Sequence, residues 1–331
     1  MMDVILEAPN QKPYVELDPL HRMEKHLLRY FLDGSARTFF LGDIVEGSRR
    51  SSVHVAQIGV AVVFREDNGQ IRVAVPPVHR IVLMMDKKAV SFGEEVKQLV
   101  EKSWPRFAFH DTMEEDGETE KTSPGKEPRS RAAHKAHHLM ARLEDEVGRG
   151  LTRDSGHWLV LDGSLGKDLY AWTKVPSFVG IAKSFSREPL FKLPGARRGR
   201  VVNLYELLAE LPFSARTLAF AARLGRTVVW YVRLREQRQL DYPLMGVVKV
   251  ELPNPGGQAV SSDVINQISA ALVAERQVSP HGKDVRWHAH LYPVYLAEQA
   301  VKNGFISTEA LKAGLKWPVW GQGHCDPSVG R

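Results

Sequence analysis

The chain has 331 residues, 43% of them apolar and 25% charged, and 45 Lys+Arg against 39 Asp+Glu leave a net charge of +6. Those proportions exclude a disordered or fibrous chain, give enough length to bury a core, and are compatible with, though far from diagnostic of, a nucleic-acid partner. The single cysteine, Cys325, rules out an internal disulfide and a cysteine-based zinc site, and the chain shows neither a secretory leader nor a run of about 18 apolar residues, so a cytoplasmic protein with no membrane partner is expected.

In chain order, DPLHRMEKHLLRYF (18–31) spaces Leu20, Met23, Leu27, Leu28 and Phe31 as an amphipathic helix would. It leads into an apolar strand closed by Asp33 of the first Asp-Gly-Ser. VHVAQIGVAVVF and IRVAV, separated by EDNG at 66–69, predict an antiparallel hairpin. SFGEEVKQLVEKSW (91–104) reads as a helix with Val96, Leu99, Val100 and Trp104 on one face. Residues 110–131 are charged and almost free of apolar side chains, which predicts a mobile insertion. Helical periodicity resumes over 132–151, with Leu139, Met140, Leu143 and Val147 as the buried stripe. Strands follow in HWLVLDGSL (157–165) and SFVGIAKSF (177–185), then a basic loop that includes Lys192, Arg197, Arg198 and Arg200. NLYELLAEL is a short helix, TVVWYVRL (227–234) and GVVKVEL (246–252) are paired strands, and 263–276 and 293–303 are amphipathic helices. The pattern describes one α/β (α+β) domain over 1–331, with a partly antiparallel mixed sheet flanked by helices and with additional hairpin and helical elements.

Two apolar strands that both end in Asp-Gly-Ser admit two readings. Asp-Gly is a strong hairpin signal. Alternatively, Asp33 and Asp162 emerge at one sheet edge as ligands of a hard divalent cation, with Glu144 of the acidic helix end MARLEDEV beside them. Lys183 interrupts an apolar strand and either marks its exposed end or supplies a fixed positive charge to a phosphate. His288 and His290 alternate in RWHAHLYP, and a general base is one role open to them; HKAHH (134–138) reads as a solvated helix start. No P-loop, dinucleotide-binding, serine-hydrolase or HExxH signature occurs.

Taken in order, the two Asp-Gly-Ser strands, MARLEDEV, VGIAKSF and YPVYLAEQA resemble the NurA nuclease family over roughly residues 28–303. The resemblance implies an RNase H-like core and Mn²⁺- or Mg²⁺-dependent DNA cleavage of the 5′-to-3′ exonuclease and single-strand endonuclease type, with two ions. It implies Asp33, Glu144 and Asp162 as metal ligands and Lys183 as the accompanying lysine. Its implied partners are DNA, single-stranded or at duplex ends, a HerA-type hexameric ATPase and a second copy of the chain, in DNA-end processing or defence. Lys192, Arg197, Arg198 and Arg200 would then form an electrostatic path for the strand. Val4, Ile5 and Leu6 would contribute to the ATPase contact. The chain departs from the family at Ala300, where a histidine is expected seven residues after Pro293; His290 is the candidate substitute. Two rival readings stand beside this one: a catalytically silent DNA- or ATPase-binding adaptor of the same fold, and an unrelated enzyme whose Asp-Gly pairs are turns.

Overall fold

The computed structural model describes residue 7 and residues 13–21, 27–104, 106–114, 127–154, 156–165, 177–186, 190–192, 201–222, 225–238, 241–275, 277–278 and 289–315. Its strands are β1 (Tyr14–Glu16), β2 (Leu28–Glu46), β3 (Arg49–Arg65), β4 (Ile71–Met85), β5 (Phe107–Asp111), β6 (Trp158–Asp162) and β7 (Phe178–Ala182), followed by β8 (Leu190–Lys192), β9 (Val201–Asn203), β10 (Ala215–Thr217), β11 (Phe220–Ala222), β12 (Thr227–Arg233) and β13 (Val247–Pro253). The helices are α1 (Gly93–Ser103), α2 (Pro128–Gly150), α3 (Leu204–Ala209), α4 (Ser262–Ala274), α5 (Tyr292–Asn303) and α6 (Thr308–Gly314). Among them no helix is long and apolar enough to cross a membrane.

Eleven strands form one mixed sheet in the order β1-β10-β12-β13-β7-β6-β2-β3-β4-β5, with β11 also on β12. β2, β3 and β4 are an antiparallel meander, while β6 runs parallel to β2 and β7 parallel to β6. Gly47 turns the first hairpin at φ +56° and Gly69 the second at φ +81°, the left-handed conformation that glycine adopts without a Cβ penalty.

Alternation along the strands divides the core between the two faces. Leu32, Ala56, Ile58, Val60 and Val62 pack with Ala132, Ala136, Leu139 and Leu143 of α2. On the opposite face Phe31, Ala61, Val63, Val160 and Val179 pack with Ile265, Ile268 and Leu272 of α4 and with Val294, Ala297 and Val301 of α5. α1 and α6 cover the outer part of the meander through Val96, Val100 and Leu311.

The mixed α/β class, the hairpins and most helices agree with the sequence reading, and three expectations change. The helix over 18–31 is not present as expected: residues 17–21 have no regular structure, 22–26 lie outside the described residues, and β2 starts at Leu28. A bulge between Leu28 and Tyr30 brings Leu28 and Phe31 into the same core cluster, so a strand here mimics helical spacing. Asp33 does not end a strand; β2 continues through Asp33, Gly34 and Ser35, which pair with Ala61, Val60 and Gly59. The segment expected as an insertion at 110–131 has regular structure at both ends, because β5 runs to Asp111 and α2 begins at Pro128, where a proline costs no hydrogen bond; residues 115–126 lie outside the described residues.

Candidate metal centre

The candidate site lies where β6 stops. Leu32 pairs with Leu161 in parallel register, so the next residues, Asp33 and Asp162, sit side by side at the C-terminal end of β6. Among the described residues, β2 runs on from there with no strand on that edge. Gly163 takes φ +115° and its N–H donates to the Ile181 carbonyl at 2.7 Å, which turns the chain away directly beyond Asp162. The Leu165 N–H then donates to buried Glu251 at 2.7 Å. Gly180 on β7 admits this turn: a Cβ there would lie 2.8 Å from Leu165 Cδ2 and 3.0 Å from the Gly163 carbonyl oxygen.

Asp33 is only 6% exposed, and its Oδ1 accepts the Gly34 N–H at 2.8 Å. Glu144 enters from α2 on the other face of the sheet and lies over Gly34, where an added Cβ would come within 2.5 Å of Glu144 Oε1 and 2.9 Å of Met140 Cγ. Gly34 is the opening through which an acid on one face approaches an acid on the other. Lys183, just past β7, donates from Nζ to Asp162 Oδ2 at 2.7 Å. The same Nζ lies 2.8 Å from His290 Nδ1; an ammonium only donates, so Nδ1 is the acceptor in that contact.

α5 supplies the residue that sequence reasoning missed. Ligand atoms of Asp33, His290 and Glu298 all lie within 4.8 Å of one another, a group able to hold a metal ion. Glu298 follows Ala297, which is fully buried against the sheet, and its Oε1 also meets Lys302 Nζ at 2.7 Å. The signal was present in YPVYLAEQA: on a helix whose inward stripe is Val294, Ala297 and Val301, position 298 borders the packed face, whereas the family histidine was sought at Ala300.

The electrostatics are those of crowded anions. Burial, followed by the charge of Asp162, holds the Asp33 carboxyl well above its ordinary range; Lys183 opposes this, and Glu144 and Glu298 add to it. Burial, then Asp162 and Asp145, pushes Glu144 up to about 8, against the pull of the Gly34 N–H. Bringing carboxylates together this closely is unfavourable without positive charge, and Lys183 and Lys302 supply only part of it. The oxygen-rich donor set, with one imidazole, suits a divalent cation such as Mn²⁺. While Lys183 holds His290 Nδ1, the oxygens of Asp33 and Glu298 are the readier donors.

Asp33, Glu144, Asp162, Lys183 and His290 are therefore brought to one locus, joined by Glu298. Glu146 points outward and pairs with Arg80 at 2.8 Å. Lys192 lies on β8 with only its backbone described, and Arg197, Arg198, Arg200, His288, Val4, Ile5 and Leu6 lie outside the described residues. Compared with known proteins, the chain matches no family model and no curated sequence.

Proposed function

We propose that the chain is a divalent-metal-dependent deoxyribonuclease with an RNase H-like core, of the NurA type. The carrying observation is the convergence of acidic residues from four separate elements, Asp33 (β2), Glu144 (α2), Asp162 (β6) and Glu298 (α5), with Lys183 beside Asp162 and Lys302 beside Glu298, at a sheet edge that no described strand covers. The strand order supports the fold assignment. A three-stranded antiparallel meander is followed, through a helix packed on it, by two parallel strands added beside the meander's first strand.

In this reading Asp33 and Asp162 hold Mn²⁺ or Mg²⁺, with Glu144 and Glu298 closing the site from opposite faces of the sheet. Bound there, such ions supply positive charge to a phosphodiester and acidify water, and two-ion sites place them about 3.5–4 Å apart. Lys183 orients Asp162 through their contact at 2.7 Å, and its ammonium presents positive charge to the phosphate. His290, buried behind Lys183, fixes that amine from the other side. DNA, a HerA-type ATPase and a second copy of the chain are the partners that go with this reading, in DNA-end processing or defence.

The test is hydrolysis of labelled single-stranded DNA with Mn²⁺ by the wild type and by Asp33→Asn. The variant is expected to lose about 10²-fold or more in rate, since removing a ligand forfeits several kcal/mol of charge stabilisation. Equal and negligible rates for both proteins, with and without a HerA-type partner, would overturn the nuclease reading.

A further inference from the structure

The outer part of the β2–β3 hairpin carries an exposed aromatic ring among arginines. Phe40 is 46% exposed, and its ring meets that of His54, its partner on β3, edge-on at 5.6 Å between centroids. The register shifts immediately after it, between Phe40 and Gly42, a bulge of the kind that re-aims side chains. Phe40, His54 and Arg50 wall an open cavity of about 620 Å³ whose other side is the first turn of α2, with Arg129 and Arg131. Two carboxylates border it as well: Asp86, which caps a 3-10 turn through the Lys88 N–H, and Glu127. Asp43, close by, pairs with Arg50 at 2.6 Å. The cavity wall thus carries three arginines, Arg50, Arg129 and Arg131, against two carboxylates, with Arg50 also engaged by Asp43. Burial, reinforced by the charges of Arg129 and Arg131 and opposed by Asp43, lowers the pKa of His54, so its ring stays neutral beside Phe40.

One row of α2 joins this cavity to the metal centre. Arg129, Ala133, His137, Met140 and Glu144 recur at intervals of four, four, three and four residues and so lie along one face of the helix. None of the five is fully buried, whereas Ala132, Ala136, Leu139 and Leu143 beside them form the packed stripe. The row ends with Met140 and Glu144 over Gly34. From Arg131 to Glu144 the helix rises about 20 Å at ~1.5 Å per residue, the length of about six stacked nucleotides at ~3.4 Å each.

We propose that the Phe40 patch is a single-strand nucleic-acid subsite, in which an unpaired base stacks on Phe40 while Arg50, Arg129 and Arg131 hold the neighbouring phosphates, about six nucleotides from the bond cut at the metal centre. The proposal rests on the nuclease reading. Stacking needs an unpaired base face, which a duplex does not offer, and ring stacking and phosphate contacts carry no base identity, so binding is indifferent to sequence.

The experiment measures fluorescence anisotropy of a labelled oligothymidylate with the full chain in EDTA, where the metal centre is not loaded. Phe40→Ala is expected to weaken binding by about fivefold or more. The double variant Arg129→Gln with Arg131→Gln should flatten the slope of log K against log salt by roughly 1.4, or about 0.7 for each lost phosphate contact. Circular dichroism melts establish that both variants fold. Affinities and salt slopes equal to wild type, or no binding by the wild type, overturn the subsite. So does a Phe40→Ala protein that keeps its affinity but sediments as a smaller species, which would make the patch an interface between copies. Hydrolysis of bis(p-nitrophenyl) phosphate with Mn²⁺, a substrate too small to span to Phe40, reports the metal centre separately. It should persist in Phe40→Ala, and its absence from the wild type would count against the nuclease reading rather than against the patch.

Discussion

At the residue scale, the centre depends on a missing side chain as much as on those present. Gly34 lets Glu144 lie against the strand next to Asp33, and the atoms an added Cβ would meet are the carboxyl end of Glu144 and Cγ of Met140, partway along a flexible side chain. Gly34→Ala should therefore cost little stability, because both side chains can rotate aside, while displacing Glu144 from the cluster. The expected result is a melting temperature close to wild type with Mn²⁺ affinity, measured by calorimetric titration, lower by about tenfold or more. An unchanged affinity would mean that Glu144 takes no part in holding the ion. Gly34 and Gly163 both follow an aspartate, yet only Gly163 adopts a positive φ. The same Asp-Gly-Ser triplet is an extended strand in one place and a turn in the other. Local sequence does not separate the two cases; the long partner strand β3 does, by continuing to pair past Asp33.

At the element scale, β6 and β7 are five residues each, and the loop between them must leave the sheet as soon as Asp162 is placed. β13 provides the anchor. Glu251 on β13 is 2% exposed, accepts the Leu165 N–H and pairs with Lys249 at 2.5 Å. Glu251→Leu removes the acceptor and leaves both donors without it, so a loss of about 2–3 kcal/mol is expected from urea unfolding, read as a lower midpoint with the slope unchanged. Because the loop carries the residues after Asp162, the DNA hydrolysis expected on the proposed nuclease reading should fall in the same variant under conditions where it remains folded. Glu298 shows the other side of element-scale logic. Its helix was legible from the spacing of Val294, Ala297 and Val301, but which polar position beside that stripe meets Asp33 depends on the angle at which α5 crosses β2.

At the scale of the whole molecule, residues far apart in the chain are tied by buried charge. Glu7 accepts from Arg216 at 2.7 and 2.8 Å, from the Ala219 N–H at 2.6 Å and from the Ser262 hydroxyl at 2.7 Å, linking the N-terminal region to β10 and α4. Burial works against its ionised form, but the hydrogen bond and charge of Arg216, with Ser262 and Ala219, hold its pKa below the ordinary glutamate value of 4.5. A depressed carboxylate adds stability above its unfolded pKa, and that stability is lost as pH falls through the folded one. The stability difference between wild type and Glu7→Gln, from urea unfolding between about pH 7 and about pH 3, should hold constant near neutrality and shrink below the ordinary glutamate range. A difference that grows toward acid would show that the pair does not act through ionised Glu7. Arg65 and buried Glu275 make a second such link, between β3 and the end of α4.

What the sequence determined by itself was whatever depends on neighbours along the chain. Apolar spacing determined most helices and the β3–β4 hairpin, and the mixed α/β class followed from their order. Chemistry-bearing residues stood out wherever a charge interrupted an apolar run, as Asp33, Asp162 and Lys183 do. Tertiary structure alone decided that β2 passes through Asp33 without turning, that α2 and α5 approach that point from opposite faces, and that Glu298 joins Asp33 and the sequence candidate His290. The physical reason is that periodicity encodes which face of an element is buried, while convergence is set by parallel register and helix packing between segments more than 100 residues apart, as Asp33 and Asp162 are.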